Sequence, residues 1–512
     1  MNGFLQRHAG SVTGTLSGFD RLLFRGTLLS IAHVRGMDKF LGGRRVLYKD
    51  YAGFAKRLSE RLKRRARQLA QAAGRPFEYL GSAALRKEQV ARKIMERDGV
   101  KEGLICVLSC VEPCRTISVR SNAAGRRLEL VNQQRKCLHL YFYYLDREFG
   151  LMHVRLQTWL PMPIQVCVNG REYLARRMAR AGIGFEQRDN CFVRIDDLPR
   201  AQKMMDELNK RRWVRTLDAL ARRVNPLPGP RGGLNLRGYY WTIRESEYAT
   251  DVLFKDAAEL KEIYPPLVEH AMKRMGSQEV LRFLGRRTNG RFNGEVTADI
   301  AVRSEGVRIK HRVEENSIKM YDKQGSVLRV ETTMNNPRRF KVRRKARRKG
   351  KSCMAWLPMR KGLADLARRV QICRAANERY LEALATVGRS ATVQKLLDPV
   401  SRPVVRDHRP YRALRPVSAA EAQVFAAVLD GGWLLRGFTN RDLRSKLGWH
   451  QRDPVEQRRQ GGRMTRLLRL LRAHGLIAKV SGTRYYRTTE TGRRVMTAAL
   501  QVRAADLREL AA

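Results

Sequence analysis

Apolar and polar residues alternate through four segments between residues 292 and 334, and this alternation predicts an antiparallel meander. Ile318, Met320, Leu328 and Val330 fall on one face, and Ser317, Lys319, Tyr321, Arg329 and Glu331 on the other. Val307, Ile309 and Val313 alternate with Arg308, Lys310 and Arg312. Val296, Ala298, Ile300 and Val302 alternate with Glu295, Thr297, Asp299 and Arg303, and a turn at Glu305-Gly306 keeps the sets in phase. Lys323-Gln324-Gly325 reads as a three-residue hairpin loop with glycine in the left-handed position. That loop sets Tyr321 opposite Val327, Lys319 opposite Arg329 and Ser317 opposite Glu331.

Helical periodicity governs other stretches. Over residues 50–73, Phe54, Leu58, Leu62, Ala66, Leu69 and Ala73 form an apolar stripe, and Gly74 ends it. The opposite face carries Lys56, Arg57, Arg61, Lys63, Arg64, Arg65 and Arg67. A second helix is expected at 84–98, then a β-rich block at 103–168, then a helix capped by Asn169. Residues 197–224 read as helix, and short helices are expected at 256–263, 265–275 and 277–285. The run 335–352 is a basic loop, and 360–386 is a long helix with an apolar stripe. Proline and glycine concentrate at 225–238 and proline at 389–416, which read as a boundary and a linker. The fold class is therefore α+β and multidomain, with mixed and antiparallel sheets covered on one side by helices. The expected domains are 1–224, 225–388 and 417–512.

The last of these has sharp punctuation. Ser418 with Glu421 opens one helix, Thr439 caps a second, and Asp453-Pro454 starts a third that ends at Gly475. Two short strands flank Ser481-Gly482-Thr483, and a final helix begins near Thr491. The stretch LLRAHGLIAKVSGTRYYRTTETGRR resembles the winged-helix families of the MarR and ArsR type. The resemblance covers about 80 residues. It implies DNA binding, with Arg458, Arg459, Gln460, Arg463 and Arg466 of the third helix toward the groove and Arg484 of the wing on the minor groove or backbone. Gly461-Gly462 inside that helix departs from the pattern. Many winged helices bind protein instead.

Charge sharpens this picture. Lys plus Arg total 103 against 49 Asp plus Glu, a formal charge of +54 spread along the whole chain. A polyanionic partner is expected, nucleic acid first and DNA in particular. No run of about 20 apolar residues suits a membrane span. The start, MNGFLQRHAG, has no signal-peptide apolar region, so a cytoplasmic protein with reduced thiols is expected. Cys110, Cys114, Cys137 and His139 offer a zinc set, but buried thiols explain the same residues. His139 and His153 read as packing or hydrogen-bonding residues. Asp20, opening an apolar run, reads as a capping or ion-pairing acid, or as a metal ligand.

Three readings of the polar meander face stay open. It can be laced with cross-strand ion pairs. It can be a nucleic-acid platform with Arg308, Lys310, Arg312, Lys319 and Arg329 on phosphates and Tyr321 as a stacking surface. It can be an active site in which Glu295, Asp299 and Glu331 hold Mg²⁺ or Mn²⁺ and Tyr321 attacks a phosphodiester. SIKMYDKQGSVLRVETTMNNPRRF is similar to a segment of rolling-circle replication initiators. That likeness implies a tyrosine nucleophile and a carboxylate-bound metal, although the His-apolar-His motif of many such enzymes is missing. The whole chain also resembles a large group of bacterial proteins, a likeness that implies no activity. The function expected is nucleic-acid binding by a regulator or mobile-element accessory factor. The alternative is a metal-dependent nicking initiator or nuclease.

Overall fold

The structure is a computed structural model. It describes residues 2–122, 125, 127–286, 295–303, 306–348, 351–385, 393–433, 437–449 and 453–504. The chain divides into two compact units, Met1–Gly388 and Arg389–Ala512.

The strands of the first unit are β1 (Val12–Thr27), β2 (Phe77–Leu80), β3 (Gly103–Asn122), β4 (Arg127–Asp146), β5 (Gly150–Gln157), β6 (Ile164–Asn169), β7 (Phe185–Arg188), β8 (Cys191–Ile195), β9 (Tyr240–Phe254), β10 (Val296–Arg303), β11 (Gly306–Val313), β12 (Asn316–Lys323), β13 (Val327–Met334), β14 (Lys341–Arg348) and β15 (Lys351–Pro358). Among the described residues, one eleven-stranded sheet runs β10-β11-β12-β13-β9-β1-β6-β5-β4-β3-β2. Only β2 and β3 pair in parallel within it, so the sheet is mixed. β1 is the hub, with β6 on one edge and β9 on the other.

The β1–β9 pairing decides the domain picture. β9 follows the 225–238 stretch, yet it pairs with β1 from Val12↔Phe254 to Thr27↔Tyr240. Residues 1–224 and 225–388 thus share one sheet. The proline/glycine stretch is anchored rather than free: the Asn225 amide donates to the Tyr239 hydroxyl at 2.7 Å, and the Leu234 N–H donates to the Leu227 carbonyl at 3.1 Å.

One sheet face is apolar and buries into a single core beneath the helices Tyr51–Ala72, Gly170–Arg180, Leu198–Lys210, Trp213–Val224, Ala257–Lys273 and Leu366–Leu384. Leu198–Lys210 lies so close to β1 that a Cβ at Gly18 would sit 2.2 Å from Met205 Cγ. The opposite face is covered near one edge by the helix Lys87–Arg97, whose Ala91 and Ile94 meet Cys106, Leu108, Tyr141 and Tyr143. Helices on one side only, as the sequence suggests, therefore holds for part of the sheet.

The meander forms with the expected faces but a different register. Tyr321 stands opposite Arg329, Lys319 opposite Glu331 and Ser317 opposite Thr333. Each pairing is displaced by two residues from the expected one, and a two-residue shift leaves the faces unchanged. Lys323 is the last paired residue rather than a loop residue. Gln324 and Gly325 both take left-handed backbone, φ 56° and 76°, and the Asp322 carboxylate accepts the Gly325 N–H at 3.0 Å. The expected strand start at 292–294 and the turn residue Glu305 lie outside the described residues. The basic run is a hairpin, not a loop: β14 and β15 pair from Lys341↔Pro358 to Arg348↔Lys351.

The second unit holds a β16–β17 hairpin (Val404–Arg406 and Arg409–Tyr411), helices Ala419–Val428, Asn440–Lys446 and Pro454–Ala473, a β18–β19 hairpin (Ile477–Lys479 and Tyr486–Thr488) and the helix Glu490–Ala504. The proline-rich 389–416 stretch is part of this unit, because Leu397, Val400 and Leu414 pack with Phe425, Leu468 and Ile477. The caps stand where the sequence places them. Thr439 and Asp442 form a reciprocal capping box, and Asp453 accepts from the Val455 and Glu456 N–H groups. Pro454–Ala473 runs continuously through Gly461-Gly462. No helix among the described residues is long and apolar enough to cross a membrane.

Candidate functional site

The polar face of the central strands is not solvated. A bulge in β1 between Phe19↔Tyr248 and Arg21↔Glu247 places Asp20 beside β9 and β13. Arg329 on β13 is fully buried and forks onto Asp251 on β9, Nε to Oδ1 at 2.6 Å and Nη2 to Oδ2 at 2.9 Å. It also reaches Asp20 at 3.3 Å and the Asn190 carbonyl, in the β7–β8 turn, at 2.8 Å. Arg171, the second residue of the helix Gly170–Arg180, is also fully buried and lies 2.9 Å from Asp251. Burial pushes the Asp20 carboxyl up, against the pull of Arg329. The reading of Asp20 as an ion-pairing acid matches this arrangement.

A second group sits beside it. The Lys319 ammonium donates to Glu331 at 2.7 Å and to Glu247 at 3.4 Å, and the Tyr321 hydroxyl donates to Glu331 at 2.6 Å. Arg21 pairs with Glu245 and lies 3.5 Å from Glu247. Burial acts to raise the Glu331 carboxyl, but Lys319, Tyr321 and Arg329 outweigh it and bring it down to about 2. Glu247 goes the other way, raised to about 7 by burial and by the neighbouring Glu331 charge. Burial and the Glu331 charge push the Tyr321 phenol well above its ordinary value.

This geometry separates the proposed metal ligands. Glu295 is exposed ahead of β10, and Asp299 on β10 pairs with Arg308 at 2.9 Å. Glu331 lies on β13, three strands away, which is roughly 14 Å at the usual strand spacing. The three carboxylates do not meet, and Glu331 is already held by Lys319 and Tyr321. Tyr321 is a buried hydrogen-bond donor, a poor nucleophile in this state. Among the described residues no group of three His, Cys, Asp or Glu is placed to hold a metal ion. All eight cysteines are free. His139 is buried, donates from Nδ1 to the Cys137 carbonyl at 3.1 Å, and is brought down to about 4 by burial and the Arg155 charge.

The basic residues sort into two kinds. Lys319 and Arg329, expected on phosphates, are instead inside the ion-pair network, and Arg308 is engaged by Asp299. Lys310 is half-buried and Arg312 is exposed, without an ion pair to any described acid. In the second unit Arg458, Arg463 and Arg466 are exposed along Pro454–Ala473, with Arg463 5.0 Å over the Trp449 ring. Arg459 is exposed and lies 3.6 Å from Glu456, Gln460 is half-buried, and Arg484 is exposed in the β18–β19 turn. The β14–β15 hairpin exposes Lys341, Arg343, Lys345 and Arg347, with Trp356 cross-strand from Arg343 and Met354 from Lys345. Trp356 and Met354 are each more than half exposed.

Sequence reasoning missed Arg171, Glu245, Glu247 and Asp251, because none lies in the meander. The signal was available in β9, where Glu245, Glu247 and Asp251 recur at even spacing in ESEYATD. No protein family, curated protein or solved structure matches this chain.

Proposed function

We propose that the protein binds nucleic acid, DNA first, as a regulator or mobile-element accessory factor. The observation that carries this reading is how charge is distributed. Many carboxylates in the first unit are spent in buried ion pairs, while arginines on Pro454–Ala473 and cations on β14–β15 stand exposed. Such cations are stable beside one another when counterions or phosphates cover them. The helix–helix–helix–hairpin–helix order of residues 419–504 supports the winged-helix resemblance, with Arg458, Arg459, Gln460, Arg463 and Arg466 toward the groove and Arg484 at the wing. On β14–β15, Trp356 between cations suits stacking on an unpaired base.

The nicking alternative fits less well. It requires Tyr321 to leave Glu331 and separated carboxylates to gather. The test is fluorescence anisotropy with labelled duplex and single-stranded DNA, for the wild type and for R458Q/R463Q/R466Q. Raising salt from 50 to 200 mM weakens wild-type binding by a factor on the order of 10³ for several phosphate contacts. The triple variant loses affinity and has a shallower salt slope. A flat salt response removes the electrostatic basis of the proposal. Supercoiled plasmid incubated with Mn²⁺ or EDTA, beside Y321F, settles the alternative: metal-dependent nicking lost in the variant would establish the enzyme.

A further inference from the structure

Four arginines converge on one cavity, and among the described residues only Arg155 has an acid beside it. Arg25 on β1, Arg115 on β3, Arg155 on β5 and Arg244 on β9 line a cavity of about 310 Å³, together with Gln157 and Gln165. Among the described residues no carboxylate lines it. The strand pairings explain the convergence. Arg25 is opposite Gln165, Gln165 is opposite Arg155, and Arg155 is opposite Tyr141, so the row crosses β1, β6, β5 and β4 on one face. Among the described residues Arg25, Arg115 and Arg244 have no ion pair. The nearby acid, Glu112, is saturated: it accepts from Arg155 at 2.6 Å, Lys87 at 2.9 Å and Tyr141 at 2.7 Å.

Clustered guanidinium groups repel one another, and loss of part of its surrounding water, with Arg244, Arg115 and Arg155 nearby, brings the partly exposed Arg25 below its ordinary value. Arg155 Nε is buried with no hydrogen-bond partner among the described residues. An anion in the cavity relieves this repulsion and meets the forked donors that suit a phosphate. The volume is near the lower end of the roughly 300–1,000 Å³ usual for ligand pockets, so it takes more than a bare ion. Gln157 already donates to the Arg115 and Trp159 carbonyls, and Gln165 accepts from Arg155 at 3.4 Å, so these glutamines hold the wall and its arginines in place beside the attached group. His139, which also lines the cavity, stays neutral at ordinary pH and adds no charge.

We propose that this cavity is a binding site for the phosphate of a phosphorylated nucleoside, either a free nucleotide or the phosphorylated end of a strand. The preference for phosphate follows from the arginines; the choice of a nucleoside rests on the nucleic-acid reading above.

The full chain is titrated calorimetrically with AMP, with adenosine, and with a single-stranded oligonucleotide carrying a 5′-phosphate or a 5′-hydroxyl. The wild type is compared with R25Q/R244Q and, separately, with R115Q. Arg25, Arg115 and Arg244 are exposed and without ion pairs, so these variants keep the fold, which near-ultraviolet circular dichroism checks. AMP bound at least tenfold tighter than adenosine, with the difference lost in both variants, supports the free-nucleotide form. A tenfold preference for the 5′-phosphorylated strand alone, lost in the same variants, supports the strand-end form. Affinity that ignores the phosphate, or a phosphate preference unchanged by both variants, overturns the proposal. AMP needs no strand binding, so the site can stand while the DNA reading falls. Strand binding indifferent to the 5′-phosphate, with AMP bound no tighter than adenosine, leaves the DNA reading standing while the site falls.

Discussion

Replacing Arg329 with methionine tests whether the polar face is a structural network or a spare reactive surface. Arg329 is fully buried, forks onto Asp251, contacts Asp20 and donates to the Asn190 carbonyl. Its removal leaves, among the described residues, Asp251 with Arg171 and Asp20 with only the neutral Asn190 amide in hydrogen-bonding contact. Breaking a buried pair from one side costs about 3–5 kcal/mol, because the remaining charge has lost its compensation. The cost depends on pH. The Asp20 carboxyl is already raised by burial, and losing Arg329, which pulls it down, raises it further. A folded-state pKa above the unfolded one gives stability that is present at low pH and lost as pH rises through the folded value. R329M is therefore closest to the wild type near pH 5 and furthest from it near pH 8. Urea unfolding at both pH values, followed by tryptophan fluorescence, measures this, since Trp159, Trp213, Trp241 and Trp356 all lie in the first unit. R329M/D251N removes one charge of each sign and regains part of the loss. A loss under about 1 kcal/mol at pH 8, or one independent of pH, refutes the claim that these charges are desolvated.

Three further outcomes follow from the same geometry. G18A forces a Cβ to 2.2 Å from Met205 Cγ, so it destabilises by about 1–3 kcal/mol, and G18A/M205A loses less than the sum of the two single variants in the same denaturation assay. His139 and His311 are each brought down to about 4, chiefly by burial, so their contribution is full above pH 6.5 and is lost as pH falls through 4. By pH 5 each costs about 2 kcal/mol relative to neutral pH, and H311Q flattens that part of the stability–pH curve. Y321F removes one donor from a Glu331 carboxylate that keeps Lys319, so it costs about 1.5–3 kcal/mol of stability and leaves DNA affinity in the anisotropy assay unchanged.

What could be read from the chain depended on the range of the interaction. Caps and stops are local, so Asn169, Thr439, Asp453 and Gly74 stood where the residue types demanded. Binary patterning placed Ile318, Met320, Leu328 and Val330 correctly in the core. It was silent on what covers the other face. A strand with alternating polar residues looks solvated until another strand brings its own charges, as β9 does with Glu247 and Asp251. The 225–238 stretch has the composition of a boundary, but the long-range pairing of β1 with β9 carries the sheet across it. Arg25, Arg115, Arg155 and Arg244 come from four strands spread over more than two hundred residues, and no local pattern gathers them.

The meander register shows how charge completes what polarity leaves open. Alternation fixes which face a residue takes, but every two-residue slip gives the same faces. The register suggested by the turn would set Lys319 opposite Arg329, two cations across one strand pair. The observed register sets Lys319 opposite Glu331 and brings Tyr321 onto the same carboxylate. Like charges directly opposite are destabilising, and here the pair is largely removed from water, so the penalty is larger than on an open surface. The ion pairs therefore select one register among those the apolar face allows. Exchanging the partners, K319E/E331K, keeps a cross-strand pair and is more stable than K319E alone, which faces Glu331 and Glu247 with a third carboxylate. The single variant loses about 3–5 kcal/mol, and hydrogen exchange at the β12 and β13 amides rises with it. If the exchanged pair is no more stable than the single variant, charge does not choose the register, and the turn at Gln324-Gly325 must do so alone.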